Sequence, residues 1–184
     1  MSPRSEWHPY AFMDGVFSEE ECATIKALGE GRWTDAYIGG KNPRLPTYLY
    51  GQHHVLPKDP DHAWIYDRLI EPVDYLQREY LPCRWDRWVE PIQVSYYDAG
   101  REHRWHIDYG AGQFLTRKLI VSVLLDQDFN GGDLEIQAGN SPVPCEQRVG
   151  RMIVMPTTTL HRVTPVTQGE RTTLVTWGHG PRWE

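Results

Sequence analysis

The sequence predicts an α+β fold in which a helical first half supports a sheet-rich second half that closes into a double-sheet jelly roll. Three observations lead there. Apolar residues recur at helical spacing up to about residue 80, the period changes to two after Pro91, and Gly-centred turns then divide the chain into short strands. A length of 184 residues with 40% hydrophobic residues suits one domain with a substantial core. Within it, 1–90 reads as helical support with substrate-side loops and 91–178 as the jelly-roll core.

The elements follow in order. Phe12 to Phe17 reads as a short strand or entry segment. Ser18 is a helix N-cap, and Glu21 three residues later completes a capping box. Cys22, Ile25 and Leu28 share the face of that helix, and Gly29 or Gly31 ends it. Trp33 to Ile38 forms a strand. From Gly39 to Pro60, Gly and Pro punctuate a long loop, with one strand at Thr47 to Tyr50; loops of this length are often lids or binding segments. A second helix spans about Asp61 to Tyr80, where Ile65, Leu69, Val73, Leu76 and Tyr80 keep one face and Pro72 should kink or split it. Ile92, Val94 and Tyr96 then alternate with Gln93, Ser95 and Tyr97. Asp98-Ala99-Gly100 is a turn, Trp105 to Asp108 a short strand and Lys118 to Leu125 a stronger one. Asn130-Gly131-Gly132 is a hairpin-type turn. Leu134 to Gln137, Arg151 to Met155, His161 to Val166 and Arg171 to Trp177 complete the strands, the last two forming one hairpin through Gln168-Gly169-Glu170.

Composition narrows the function classes. A net charge of −6 and the lack of a basic stripe, the local Arg101 to Arg104 cluster notwithstanding, argue against a nucleic-acid partner. Cys22, Cys83 and Cys145 are odd in number and far apart, so a reducing cytosol is the simplest compartment and a disulfide framework is not expected. MSPRSEWHPY lacks the apolar stretch of a secretory signal, and no apolar run is long enough to span a membrane. Eight Trp and ten Tyr supply amphipathic aromatics that can pack a sheet interior or line a pocket.

The chemistry lies in His106-Ile107-Asp108, the distant His161, and Arg171. On a strand, side chains at i and i+2 share a face, so His106 and Asp108 can grip one metal ion and His161 can close the set. Two imidazoles and a carboxylate make the facial triad of non-haem Fe(II) oxygenases, leaving open positions for a chelating 2-oxo acid and O2. Arg171 carries the planar fork that receives a carboxylate bidentately. By alternation Arg171, Thr173, Val175 and Trp177 face inward, and Thr173 can add a hydroxyl hydrogen bond to the same carboxylate. Each fragment also has a plainer reading. HxD fits a surface turn, a His after Thr157-Thr158-Thr159 fits a turn cap, and a buried Arg fits an internal salt bridge. Among the other candidates, His53-His54 reads as solvated loop, His103 as exposed, and His179 as a tail residue near the pocket mouth. Trp105 and Ile107 point away from the ligands and should pack in the core or between layers. Arg32, Arg44 and Tyr48 flank the long loop as candidate substrate contacts.

HID, GGDLEI (Gly131 to Ile136), His161 and Arg171 together resemble the Fe(II)/2-oxoglutarate-dependent dioxygenases of the prolyl 4-hydroxylase-like superfamily. The final stretch, PTTTLHRVTPVTQGERTTLVTW, resembles in particular the bacterial and phage PKHD-type hydroxylases. The resemblance implies a double-stranded β-helix core. It implies His106, Asp108 and His161 on Fe(II), Arg171 on the C5 carboxylate of 2-oxoglutarate, and Tyr97 as a hydroxyl on the same cosubstrate. Where some members carry a second cosubstrate Tyr, this chain has Leu124. A carboxylate at Asp108, where related halogenases keep a small residue, favours hydroxylation over halogenation. The implied reaction hydroxylates an unactivated C–H of a prolyl or other amino-acid side chain, in a peptide or as a free amino acid, with succinate and CO2 released. The rival readings are oxidation of another small metabolite, a cupin-like metal-binding or sensor domain without turnover, and a zinc hydrolase using the same two histidines and aspartate.

Overall fold

The computed structural model describes residues 10–35, 51–81 and 83–182. In chain order the elements are β1 (Ala11–Met13), α1 (Glu19–Gly29), β2 (Thr34–Asp35), β3 (Gln52–Leu56), α2 (Ala63–Tyr80), β4 (Arg87–Trp88), β5 (Ile92–Tyr97), β6 (His103–His106), β7 (Arg117–Leu124), β8 (Phe129–Gly131), β9 (Leu134–Ala138), β10 (Ser141–Pro144), β11 (Met152–Pro156), β12 (His161–Val163), β13 (Val166–Gly169) and β14 (Arg171–His179). A large sheet runs β1-β11-β7-β14-β5-β3-β2, with β4 also on β14. A small sheet runs β10-β9-β12-β6, and β13 pairs with β8. The strand pairs are antiparallel, as in a jelly roll.

The large sheet is covered on both faces. On β7, Leu119, Val121 and Val123 share one core with Ile65, Leu69 and Val73 of α2. Ile120, on the opposite face, joins Tyr97, Trp177 and the small-sheet residues Leu134, Ile136 and Val163 in a second core. Every residue of β7 is therefore buried, which accounts for its near-continuous apolar sequence.

The capping box of α1 is present: Ser18 Oγ accepts from Glu21 N at 3.1 Å and Ser18 N donates to Glu21 Oε2 at 2.9 Å. Pro72 does not split the second helix, which runs unbroken from Ala63 to Tyr80. An interior proline costs about 3 kcal/mol. Ile65, Leu69, Val73 and Leu76 lie on both sides of it and are all essentially buried, each contributing roughly 1.5–3 kcal/mol, so packing outweighs the lost bond.

Four strand expectations change. Residues 52–56, read as loop, form β3, because pairing with β5 from Gln52↔Tyr96 to Leu56↔Ile92 overrides a sequence with weak strand character. Asn130-Gly131 belongs to a strand rather than a hairpin turn, and β8 pairs with the remote β13. The stretch His161 to Val166 is two strands in different sheets, divided at Thr164-Pro165, where Pro has no N–H to give a ladder. The two late strands thus form no hairpin, and β12 and β14 lie in opposite layers. The exposed β10, with Pro142 and Pro144, is an edge strand that the prolines concealed. Of the Trp33 to Ile38 strand, Thr34–Asp35 is present and 36–38 lie outside the described residues, as does the Thr47 to Tyr50 strand. Among the described residues, no helix is long and apolar enough to cross a membrane.

Candidate active site

His106 ends β6 and His161 begins β12, and the antiparallel register sets them directly opposite. Asp108 lies just beyond the strand rather than on it. Its N–H, with that of Tyr109, donates to the Thr157 carbonyl at 3.0 and 3.1 Å. The three side chains converge: one ligand atom from each lies within 4.8 Å of the others. His106 Nε2 is 3.4 Å from Asp108 Oδ1, and His161 Nε2 is 4.0 Å from Asp108 Oδ2.

Both imidazoles are oriented through the far nitrogen. His106 Nδ1 donates to the Arg104 carbonyl at 2.6 Å, and His161 Nδ1 donates to the Thr159 carbonyl at 2.9 Å. A carbonyl only accepts, so Nδ1 carries the proton and the Nε2 lone pair faces the other two donors, the arrangement a metal ligand requires. Asp108 Oδ2 accepts from the Trp177 indole N–H at 2.8 Å. Burial alone would raise the Asp108 carboxyl. The two imidazoles beside it and the indole N–H outweigh it and hold the group well below the usual carboxylate range. Burial, and then His106, push the His161 imidazole downward, favouring the neutral form that binds metals.

Across the cavity stands Arg171 on β14, 1% exposed. Its Nη1 donates to Thr173 Oγ1 at 3.4 Å and its Nη2 to Gln147 Oε1 at 3.2 Å, and the guanidinium lies 5.3 Å from the Tyr97 ring centroid. Its Nε has no hydrogen-bond partner. Among the described residues no carboxylate forms an ion pair with it, so the internal salt bridge of the plainer reading is not observed. Burial lowers the Arg171 pKa, with Tyr97, Asp126 and Asp133 opposing at longer range. A buried cation with neutral contacts and an unused N–H suits an incoming carboxylate.

Triad and guanidinium share one cavity of about 90 Å3, whose lining includes Tyr97, Thr173, Val175 and Trp177. The predicted inward set of β14 thus reaches it in full. The register also places Tyr97 directly beside Arg171. Gly51 makes room for Tyr97: a Cβ there would come within 2.5 Å of the ring.

Residues 92–179 match the family model of the 2OG-Fe(II) oxygenase superfamily. This segment, just under half of the chain, is similar to that superfamily. A PKHD-type hydroxylase of Sphingopyxis alaskensis is 28% identical over 153 residues, covering 80% of this chain and 67% of the relative. A PKHD-type hydroxylase of Synechococcus sp. is 30% identical over 95 residues, covering 48% of this chain and 42% of its own length. The fold is that of a Pseudomonas putida prolyl-4-hydroxylase, with a TM-score of 0.71 at 17% identity, covering 95% and 94% of the two chains. It is also shared with a Trichoplax adhaerens prolyl hydroxylase solved in complex with a hypoxia inducible factor oxygen degradation domain peptide, with a TM-score of 0.69 at 16% identity, covering 93% and 83%. The chain is accordingly an enzyme of the 2-oxoglutarate-dependent dioxygenase type, for which Fe(II), 2-oxoglutarate and O2 are the cofactor and cosubstrates. The donor set of two imidazoles and one carboxylate fits Fe(II), and a buried guanidinium with no carboxylate partner among the described residues fits a dicarboxylate.

Several surrounding residues are not legible from motif spacing. Thr157, fully buried, donates its hydroxyl to the Arg117 carbonyl at 3.0 Å while its own carbonyl holds Asp108. Together with the Thr159 carbonyl it makes the Pro156–Thr159 turn a common support for two members of the triad. Arg117 stacks on the Trp177 ring at 3.9 Å, donates to the Asp108 carbonyl at 3.2 Å, and pairs through both Nε and Nη2 with Glu90. His179 is no tail residue. It is 2% exposed, with Nε2 2.9 Å from Glu90 Oε1 and Nδ1 2.9 Å from Thr116 Oγ1.

His103 lines the cavity instead of facing solvent. The β6–β12 pairing carries an irregularity: Val163 pairs with His103 where strict alternation would put Arg104. The extra residue turns His103 inward to stack on His106 at 3.9 Å between ring centroids. Burial, followed by His106, pushes its pKa down to about 3. Ile107 is 46% exposed, and Trp105 lies on the outer face under Arg162 at 4.7 Å. Among the described residues neither belongs to a core cluster. His53 and His54 sit half-buried on β3, in a strand rather than a solvated loop. Arg32 is exposed and does not line the cavity, and Arg44 and Tyr48 lie outside the described residues.

Proposed function

We propose that this chain is an Fe(II)- and 2-oxoglutarate-dependent hydroxylase. It acts on an unactivated C–H of a prolyl or other amino-acid side chain, in a peptide or as a free amino acid, and releases succinate and CO2. The observation that carries this reading is a buried guanidinium without a carboxylate partner among the described residues, sharing one cavity with the cluster of His106, Asp108 and His161. A metal store has no use for such an Arg, so the pair favours turnover over a cupin-like sensor. The names of the curated relatives and the prolyl hydroxylase fold support the same direction.

In this reading His106, Asp108 and His161 hold the iron. With 2-oxoglutarate and O2, such a centre supplies the oxidant that inserts one oxygen atom into a C–H bond. The protein's own work is placement. The Nε2 lone pairs are aimed by the Arg104 and Thr159 carbonyls, and Trp177 holds one Asp108 oxygen. Arg171 receives the C5 carboxylate and so fixes the cosubstrate's orientation, with Tyr97 and Thr173 beside it. Ile120, Leu134, Met155, Val163 and Val175 give the wall apolar surface beside the polar Gln93, Ser95, His103 and Ser122, and the less water such a wall admits, the stronger each charge interaction inside.

The test is a 2-oxoglutarate decarboxylation assay with Fe(II) and O2, scored by succinate, followed by a screen of prolyl and other amino-acid peptides for a mass gain of one oxygen. Stoichiometric succinate and hydroxylated product support the proposal. Iron binding without succinate under any substrate would leave the sensor reading in its place.

A further inference from the structure

Gln147 lies between β10 and β11, outside every motif of the sequence. Its Oε1 accepts from Arg171 Nη2 at 3.2 Å and from the Leu134 backbone N–H at 3.3 Å. Two donors on one oxygen fix the amide's orientation. The side chain therefore ties the guanidinium to the backbone of β9, bridging the two layers at the Arg171 end of the cavity.

The chemistry of that partner is informative. The described contacts of the Arg171 guanidinium are neutral: the Gln147 amide, the Thr173 hydroxyl and the Tyr97 ring. Asp126, whose charge is felt at Arg171, is engaged by Lys26 at 2.9 Å. Glu has nearly the same shape as Gln and would neutralise the buried cation in place. With Gln at 147, the anchor is kept and the charge is left for a ligand.

We propose that Gln147 is a cosubstrate-positioning residue, which holds Arg171 in register with the cavity while leaving its positive charge uncompensated for the distal carboxylate of 2-oxoglutarate. The inference rests on the assignment of Arg171 made above. It adds that selectivity for a dicarboxylate over a monocarboxylate 2-oxo acid depends on a neutral residue at 147.

The test uses the full chain loaded anaerobically with Fe(II), comparing Gln147→Glu, Gln147→Met and Arg171→Gln. Two readouts are independent of turnover: the melting temperature without cosubstrate, and the affinities for 2-oxoglutarate and for 2-oxobutanoate, which has the same chelating head and no second carboxylate. Gln147→Glu should melt higher without cosubstrate and bind 2-oxoglutarate roughly tenfold or more weakly, because the new carboxylate competes for the guanidinium. Its 2-oxobutanoate affinity should stay unchanged. Gln147→Met, whose thioether is only a weak acceptor, should weaken 2-oxoglutarate binding without raising the melting temperature. If Arg171→Gln weakens 2-oxoglutarate while both Gln147 variants bind it within about twofold of wild type, the role of Gln147 is overturned and that of Arg171 stands. If Arg171→Gln itself leaves 2-oxoglutarate binding intact, the assignment of Arg171 fails. Should Gln147→Glu not fold, Gln147→Met decides the matter by the same affinity measurement.

Discussion

Replacing Trp177 with Phe tests one hydrogen bond at the candidate metal site. The indole N–H meets Asp108 Oδ2 at 2.8 Å, and its ring carries the Arg117 guanidinium at 3.9 Å. Phe keeps an aromatic face for Arg117 and removes the donor together with part of the buried ring. A hydrogen bond to a charged acceptor contributes about 1.5–3 kcal/mol, and loss of a partner that orients a metal-binding carboxylate costs roughly 10–100-fold in metal affinity. The two figures agree, since about 1.4 kcal/mol is a factor of ten. We expect Trp177→Phe to bind Fe(II) roughly 10–100-fold more weakly, with only a modest loss of thermal stability. Anaerobic competition against a chromophoric chelator measures the affinity without relying on tryptophan fluorescence. Trp177→Leu serves as the companion, since it also removes the ring. It should lose further stability while its Fe(II) affinity stays near that of Trp177→Phe. Wild-type affinity in Trp177→Phe would refute the argument that this indole orients the ligand.

Three further outcomes are expected. Asp108→Ala removes the only carboxylate of the triad and should abolish both stoichiometric Fe(II) binding and succinate production, read by chelator competition and by product assay. Arg171→Ala should raise the KM for 2-oxoglutarate far more than it lowers kcat, with partial rescue by 2-oxo acids that lack the distal carboxylate. Gly51→Ala would bring a Cβ within 2.5 Å of the Tyr97 ring, so the ring must shift; cosubstrate affinity should fall while Fe(II) affinity holds, as a paired titration would show.

That His106, Asp108, His161 and Arg171 would face one cavity was legible because the chemistry of these residue types is specific. The inward set of β14 followed from alternation alone, and β5 and β7 are present close to their expected spans. What escaped depended on long-range geometry. His103 faces the cavity through a bulge that appears only when β6 meets β12. His161 and Arg171, ten residues apart, occupy opposite layers because Pro165 breaks the intervening strand. Thr157 and Gln147 act through a backbone carbonyl and a side-chain amide whose partners lie at least thirteen positions away. Pro72 misled in the other direction, since local propensity favoured a break that the buried face of α2 prevents.

The face-to-face alignment of His106 and His161 rests on a very short ladder, in which β12 contributes three residues and β6 four. So few rungs define their own alignment weakly, and a slip by one position would swing an imidazole to the outside while leaving the strands bonded. Such a molecule would be folded, soluble and unable to take up iron. The chain's difficulty at this place is therefore accuracy rather than strength, and two further ties hold the register: the pairing of β12 with β9 on its other edge, and the Pro156–Thr159 turn, bonded to Asp108 on one side and His161 on the other. Preparations with weakened turns should divide into metal-competent and metal-blind populations instead of losing affinity evenly.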